Sequence, residues 1–197
     1  AELTTWIVLP ETRGMGLGHK MLAYLQEHYE MLAGAGITAA AIPLYLDAGF
    51  SFLAQVPRFF YIADVRKIAN FVDATDASLA LTERRQNMSI RQEWQAKSCP
   101  AAGLKDQAIA GLEKGAFFRR DAKSLMWRYD RHPTFRYEAF VVHDRNDAGE
   151  GMGVILREDV IGGTSILHLI DLFGDVKDAG AAIVFVEDEA QRREAAF

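Results

Sequence analysis

Pro10 to Lys20 reads PETRGMGLGHK. A proline and an arginine lead into glycines on alternate positions, Gly14, Gly16 and Gly18, and an apolar-periodic run follows. Glycine costs a helix about 1 kcal/mol relative to alanine, so a cluster of them at a helix mouth needs a separate reason. Upstream, LTTWIVLP (Leu3 to Pro10) is β-branched, aromatic and closed by proline, which predicts a buried strand. Downstream, Leu17, Met21, Leu22 and Leu25 share one helical stripe, with Lys20, Gln26 and Glu27 facing away. A strand that passes through such a turn into a helix presents backbone N–H groups without intrahelical partners. They stand at the positive end of the helix dipole. Glycines there let an anion approach the backbone, so the pattern predicts a cradle for phosphate or diphosphate. The spacing is neither the P-loop G-x-x-x-x-G-K-S/T nor the dinucleotide G-x-G-x-x-G, because His19 and Met21 stand where a third glycine is required.

The 197 residues suffice for one or two small domains. Half are hydrophobic and 25% charged, the balance of a soluble globular chain able to bury a core. A net charge of -5 argues against a nucleic-acid partner, and the basic pairs Arg84-Arg85 and Arg119-Arg120 read as solvated faces. The single cysteine, Cys99, rules out an internal disulfide and any metal site of paired cysteines. No metal is expected. Its neighbours AKSCPAAG read as a loop with no base to activate the thiol. A free thiol fits a reducing compartment. No apolar run is long enough for a membrane span, and no signal peptide is recognised. These features predict a cytoplasmic protein.

Further along, YEMLAG predicts a short strand closed by glycine. ITAAAIPLYLDAGF predicts a helix with Thr38 as N-cap and Gly49 beyond its C-terminus. Pro43 delays its start or kinks it. FSFLAQ and RFFYIADV predict a hairpin around Val56-Pro57. Residues 66 to 116 are polar and poorly patterned, and read as a helical linker or the opening of a second unit. YEAFVVHD and GMGVILRE predict strands joined by the turn RNDAGEG. TSILHLIDLFGD predicts a third strand, and DAGAAIVFVEDEAQRREAAF a last helix. Strand, turn and helix near 3 to 28 recur imperfectly near 165 to 195.

With these residues in place, VLPETRGMGLGHKML resembles motif A of the GNAT superfamily of N-acetyltransferases, Q/R-x-x-G-x-G/A, here Arg13-x-x-Gly16-x-Gly18. AAIPLYLDAGF resembles that family's later A-x-x-x-Y-x-x-x-GF helix and strand. The resemblance runs from about Leu3 to Asp64. It implies that Arg13, Gly14, Met15, Gly16, Leu17 and Gly18, with His19 beside them, grip the diphosphate of acetyl-CoA. It implies that the backbone of Ile7 and Val8 pairs with the pantetheine arm and offers an N–H to the thioester carbonyl. It gives Tyr45 the role of general acid toward the departing thiolate, a phenol of suitable basicity. Thr38 is a departure, since many relatives place a cofactor-contacting asparagine there. The general base is not assigned; Glu2 lies near the expected strand. His28 reads as a surface residue. The chain opens inside the family's fourth strand, so the first unit reads as truncated.

RRDAKSLMWRYDRHPTFRYEAFVV, carrying Arg120, Asp121, Leu125, Trp127, Arg128, Tyr129, His132, Pro133 and Tyr137, resembles a signature of tandem-GNAT bacterial proteins. The implied architecture is α/β (α+β): a mostly antiparallel mixed sheet flanked by helices. A partial GNAT unit (1–65), a linker (66–116) and a second GNAT-like unit (117–197) follow one another. The second unit lacks motif A, since VKDAGAAI follows its third strand. There, Trp127, Arg128, Tyr129 and His132 either line an acceptor site or pack the sheet, with Arg128 paired to a carboxylate such as Asp121. Asp171 on a buried strand suggests a polar role. The implied function is acetyl transfer from acetyl-CoA to a small-molecule amine, such as an amino sugar or cell-envelope precursor. The alternative is a degenerate pair that binds CoA or a protein without catalysis. Homo-oligomerisation is left open.

Overall fold

The computed structural model describes residues 2–3, 7–55, 60–68, 71, 93–105, 120–146 and 150–197. Arg84, Arg85 and Arg119 and the Val56-Pro57 turn lie outside them. The chain forms two compact units, Ala1–Arg58 and Phe59–Phe197. It is mixed α/β, and its main sheet has four antiparallel strands.

In the first unit β1 (Glu2–Leu3) pairs in parallel with β2 (Ala33–Gly34). Between them run a 3-10 turn, Pro10–Thr12, and helix α1, Leu17–His28. The strand expected over Leu3 to Pro10 is shorter than its composition suggests. Thr4 to Trp6 lie outside the described residues, and Ile7 to Leu9 carry no ladder. Ile7 is 80% exposed rather than buried. YEMLAG contributes only the two residues of β2.

Helix α2 spans Ile42–Asp47 with Ala41, not Thr38, at its N-cap. Pro43 falls in its first turn, where a missing N–H leaves no hydrogen bond unmade, and this sets the late start. Leu22 and Tyr45 are the buried hydrophobic residues of this unit among those described. The turn of the expected hairpin lies outside the described residues, and no strand of it is formed among those described. Ser51 to Gln55 and Phe60 to Asp64 belong to no strand, and the N–H groups of Ala63 and Asp64 both go to the Ala196 carbonyl instead.

The second unit contains helix α3 (Val65–Ile68) and a sheet ordered β3 (Trp94–Cys99), β4 (Glu138–Asp144), β5 (Met152–Ile161), β6 (Thr164–Gly174). The polar segment after residue 66 thus supplies an outer strand. Trp94 and Ala96 turn toward one face, and Cys99 toward the other. On the first face Val142, Val154 and Leu156 pack under Ala182 and Phe185 of helix α5, Ala179–Arg192. On the second, Ala139, Ile155 and Phe173 pack under Ala101 and Leu104 and under Leu125 of helix α4, Ala122–Leu125. Helices therefore cover both sheet faces, which explains why Met152 to Leu156 are all buried rather than alternating.

After α5 the chain returns beside β6. Ala196 N–H donates to Ser165 O and Leu167 N–H to Phe197 O, at 2.8 Å each. Strand, turn, helix and return thus occur in both units, as β1–α1–β2 and as β6–α5–195–197. No helix among the described residues is long and apolar enough to cross a membrane.

Candidate functional site

Two entrances, to α1 and to α5, each follow a 3-10 turn and differ in backbone path and in chemistry. Before α1, Thr12 N–H and Oγ1 both donate to Leu9 O at 3.0 Å, and Arg13 N–H donates to Pro10 O. Gly14 and Gly16 then take φ of +80° and +71°. A side chain in that left-handed region is strained. A Cβ on either would meet nothing within 4 Å, so the glycines serve backbone direction, and the space around them is open.

Gly16 is the N-cap of α1, no side chain caps the helix, and its first turn holds no acid. The first helical bond runs from Lys20 N–H to Gly16 O, so the N–H groups of Leu17, Gly18 and His19 have no intrahelical partner. Arg13 sits on the same turn, exposed, its Nε donating to Val8 O at 3.2 Å. The turn therefore joins outward N–H groups, the helix dipole and one guanidinium. That donor set fits an oxygen-rich dianion such as a diphosphate.

The remaining residues of the first unit occupy different settings. Met15, Leu17 and His19 are exposed at the mouth of α1. His28 lies at the far end of that helix, with Nδ1 2.7 Å from Tyr24 O and its ring stacked on Tyr24. Tyr45 is 7% exposed, and its ring meets Phe50 edge-on. Thr38 is exposed and uses its carbonyl to accept from Ala41 N–H.

At the α5 entrance the carboxylates of Asp175 and Asp178 replace the glycines. Asp175 accepts from Lys177 N–H at 3.0 Å. Asp178, 1% exposed, accepts from Asp144 N–H at 2.8 Å and Gly151 N–H at 3.0 Å. This mouth supplies its own anions and repels another. The sequence signal for this difference is the pair of acids Asp175 and Asp178 ahead of α5, where Gly14 and Gly16 precede α1.

A second polar group lies beside a β-bulge, where Ile155 faces Asp171 but Leu156 faces Leu169. Asp171 accepts two bonds from Arg120, Nε at 3.0 Å and Nη2 at 2.9 Å, and one from Tyr129 Oη at 2.9 Å. Burial first, then the Asp171 charge, drives the Tyr129 hydroxyl far above the ordinary phenol range, so it remains a donor. The hydrogen bond to Asp171 likewise raises Arg120.

The expected Arg128–Asp121 pair is not formed this way. Asp121 caps α4 by accepting from Ser124 N–H at 2.7 Å, while Arg128 lies exposed over the Tyr129 ring. Arg120, expected on a solvated face, is in the partly buried Asp171 pair instead. Trp127 does not pack the sheet and stands 76% exposed. His132 Nδ1 accepts from the N–H groups of Thr134 and Phe135, which puts the neutral ring's proton on Nε2. Burial, then Asp130, pushes the Cys99 thiol up, away from the reactive thiolate.

Compared with protein-family models, curated proteins and solved structures, the chain matches none of them.

Proposed function

We propose that the chain is an acetyl-CoA-dependent N-acetyltransferase of the GNAT type, with its diphosphate site at the mouth of α1. The observation that carries this reading is the uncapped N-terminus of α1, reached through Gly14 and Gly16 at positive φ and flanked by Arg13. The resemblance of Arg13 to Gly18 to motif A and of AAIPLYLDAGF to the later helix supports it. So does the parallel strand–helix–strand path of β1, α1 and β2.

Acetyl-CoA supplies an activated acyl group as a thioester. The N–H groups at the mouth of α1 and Arg13 hold the diphosphate. The Ile7–Val8 backbone holds the pantetheine arm and offers an N–H to the carbonyl oxygen as negative charge develops there. The acceptor amine attacks the carbonyl carbon, the C–S bond breaks, and Tyr45 gives its hydroxyl proton to the sulfur. The amine's surplus proton leaves to water or a carboxylate. The acceptor class, an amino sugar or cell-envelope precursor, rests on the family analogy.

A second reading, a CoA-binding module without catalysis, is favoured by the deep burial of Tyr45 against Phe50. Calorimetry of the full chain with acetyl-CoA, beside the doubly substituted Arg13→Ala, Gly16→Ala chain, tests the site. The reading expects binding by the parent chain and loss in the variant. Tyr45→Phe then separates the two readings. Catalysis predicts retained binding with acetyl transfer lowered roughly a hundredfold or more, and the binding module predicts no transfer by either chain. Absence of acetyl-CoA binding by the parent chain overturns both.

A further inference from the structure

The segment Lys123 to Arg136, KSLMWRYDRHPTFR, is basic and aromatic in a chain of net charge -5. Its fold explains why those side chains face outward. Leu125 and Tyr129 are buried, and Tyr129 Oη is tied to Asp171. With these two anchors, the π-helical turn Met126–Asp130 throws Trp127 and Arg128 to solvent. Arg131 and Arg136 are exposed on the loop that follows.

The one acid of the segment, Asp130, is engaged, since its two oxygens accept from the N–H groups of Ala101 and Ala102 at 2.7 and 3.0 Å. Among the described residues Lys123, Arg128, Arg131 and Arg136 make no ion pair, whereas Arg120, Arg157 and Arg193 each meet a carboxylate.

We propose that this surface docks the protein on an anionic membrane, with Trp127 in the headgroup layer and Arg128, Arg131 and Arg136 against lipid phosphates and carboxylates. Charge complementarity calls for an anionic partner. The indole selects the bilayer, because its apolar rings and single N–H suit the boundary between acyl chains and headgroups. Durable attachment to a bilayer surface takes two signals, apolar insertion and positive charge, and this turn carries both. Single-stranded nucleic acid needs a series of open aromatic faces along a basic groove. Here Trp127 stands open, whereas Phe135 lies under the Arg157 guanidinium at 4.4 Å.

Cosedimentation of the full chain with phosphatidylcholine vesicles, with and without phosphatidylserine, tests the proposal. Binding is expected only to the phosphatidylserine vesicles and is expected to fall as salt rises. Each of Arg128→Gln, Arg131→Gln and Arg136→Gln is expected to weaken it about fivefold. Trp127→Ala is expected to weaken it on the order of tenfold. All four positions are exposed, and unchanged thermal melts of the variants show that the fold is intact. The proposal is overturned if the chain ignores both vesicle types or binds them equally. It is overturned if the arginine variants bind like the parent, or if Trp127→Ala does, which would leave a plain polyanion surface. Tighter binding to a single-stranded oligonucleotide than to vesicles would assign the face to nucleic acid and overturn it too.

Discussion

Phe50 closes the helix that carries Tyr45. Its N–H donates to the Tyr45 carbonyl at 3.0 Å, and its ring meets the Tyr45 ring edge-on at 5.1 Å. Gly49 between them has φ +83°, and its N–H donates to Leu46 O at 2.9 Å. The paired bonds and the apolar contact together make a Schellman cap. Gly49→Ala is expected to destabilise the first unit by about 1 kcal/mol, since only backbone strain changes and nothing lies near the new Cβ. Phe50→Ala should cost about as much through the lost aromatic contact. Urea denaturation, with amide exchange at Phe50 as the local readout, checks both. Unchanged exchange in Gly49→Ala would contradict the cap.

Helix α5 ends on the same motif with a different residue. Glu194 N–H donates to Gln191 O at 3.0 Å and Ala195 N–H to Ala190 O at 2.9 Å, with Glu194 at φ +52° in the glycine position. Its side chain is 86% exposed and only 3.8 Å from the Lys67 ammonium, a pair worth little. The firmer contact, Lys67 Nζ to the Glu194 carbonyl, survives loss of the side chain. Glu194→Gly is therefore expected to stabilise the second unit by about 1 kcal/mol. A lower denaturation midpoint would show instead that the carboxylate matters.

What could be read from the sequence divides along the range of the forces. Gly14, Gly16 and Gly49 were legible because positive φ is a local demand that few residues satisfy. β4, β5, β6 and α5 were legible because their apolar runs are long enough to fix the period. The strand Trp94–Cys99 was not, because Gln95, Lys97 and Ser98 dilute its pattern and its pairing to β4 is distant in sequence. Among the described residues the flanks of the hairpin expected around Val56-Pro57, Ser51 to Gln55 and Phe60 to Asp64, form no strand, for a related reason. Their aromatic residues are used elsewhere, Tyr61 Oη accepting from Gln191 and Phe60 meeting the Phe197 ring. The partners of Asp171 were hidden as well. The sequence offers Asp121 as a carboxylate for Arg128 and names no partner for Asp171, whereas Asp121 caps α4 and Arg120 reaches Asp171 through the tertiary fold.

Acid should loosen the end of α5. Glu189 accepts from Arg192 and Arg193, and Arg193, itself nearly buried, also meets Glu138 on β4 and Glu158 on β5. The Arg192 hydrogen bonds first, then Arg193, hold the Glu189 carboxyl below its ordinary range against the opposing cost of burial. A carboxyl lowered by folding contributes stability that is complete above its unfolded pKa, about 4.3. That stability is lost as pH falls through the lower folded value. Glu189→Gln should thus cost about 1–2 kcal/mol at neutral pH, and the difference from the parent should shrink toward zero in acid. Urea midpoints measured from neutral to acid pH follow it. A constant gap over the whole range would mean that Glu189 ionisation is not linked to folding.

Asp178 is expected to be the most sensitive polar position of the second unit. Its carboxylate is buried and serves the backbone of two separate segments, Asp144 at the end of β4 and Gly151 at the start of β5. Asp178→Ala removes the acceptor of the buried Gly151 N–H, at about 1–3 kcal/mol, and that of the partly buried Asp144 N–H, at less. Asp178→Asn keeps one carbonyl oxygen and should fall between the parent and the alanine variant. Denaturation curves rank the three chains, and amide exchange at Asp144 and Gly151 locates the loss. Exchange should quicken at both amides in Asp178→Ala and at one more than the other in Asp178→Asn. If the alanine variant matches the parent in stability and exchange, these amides find other acceptors, and the carboxylate at the mouth of α5 is not what joins the helix to the sheet.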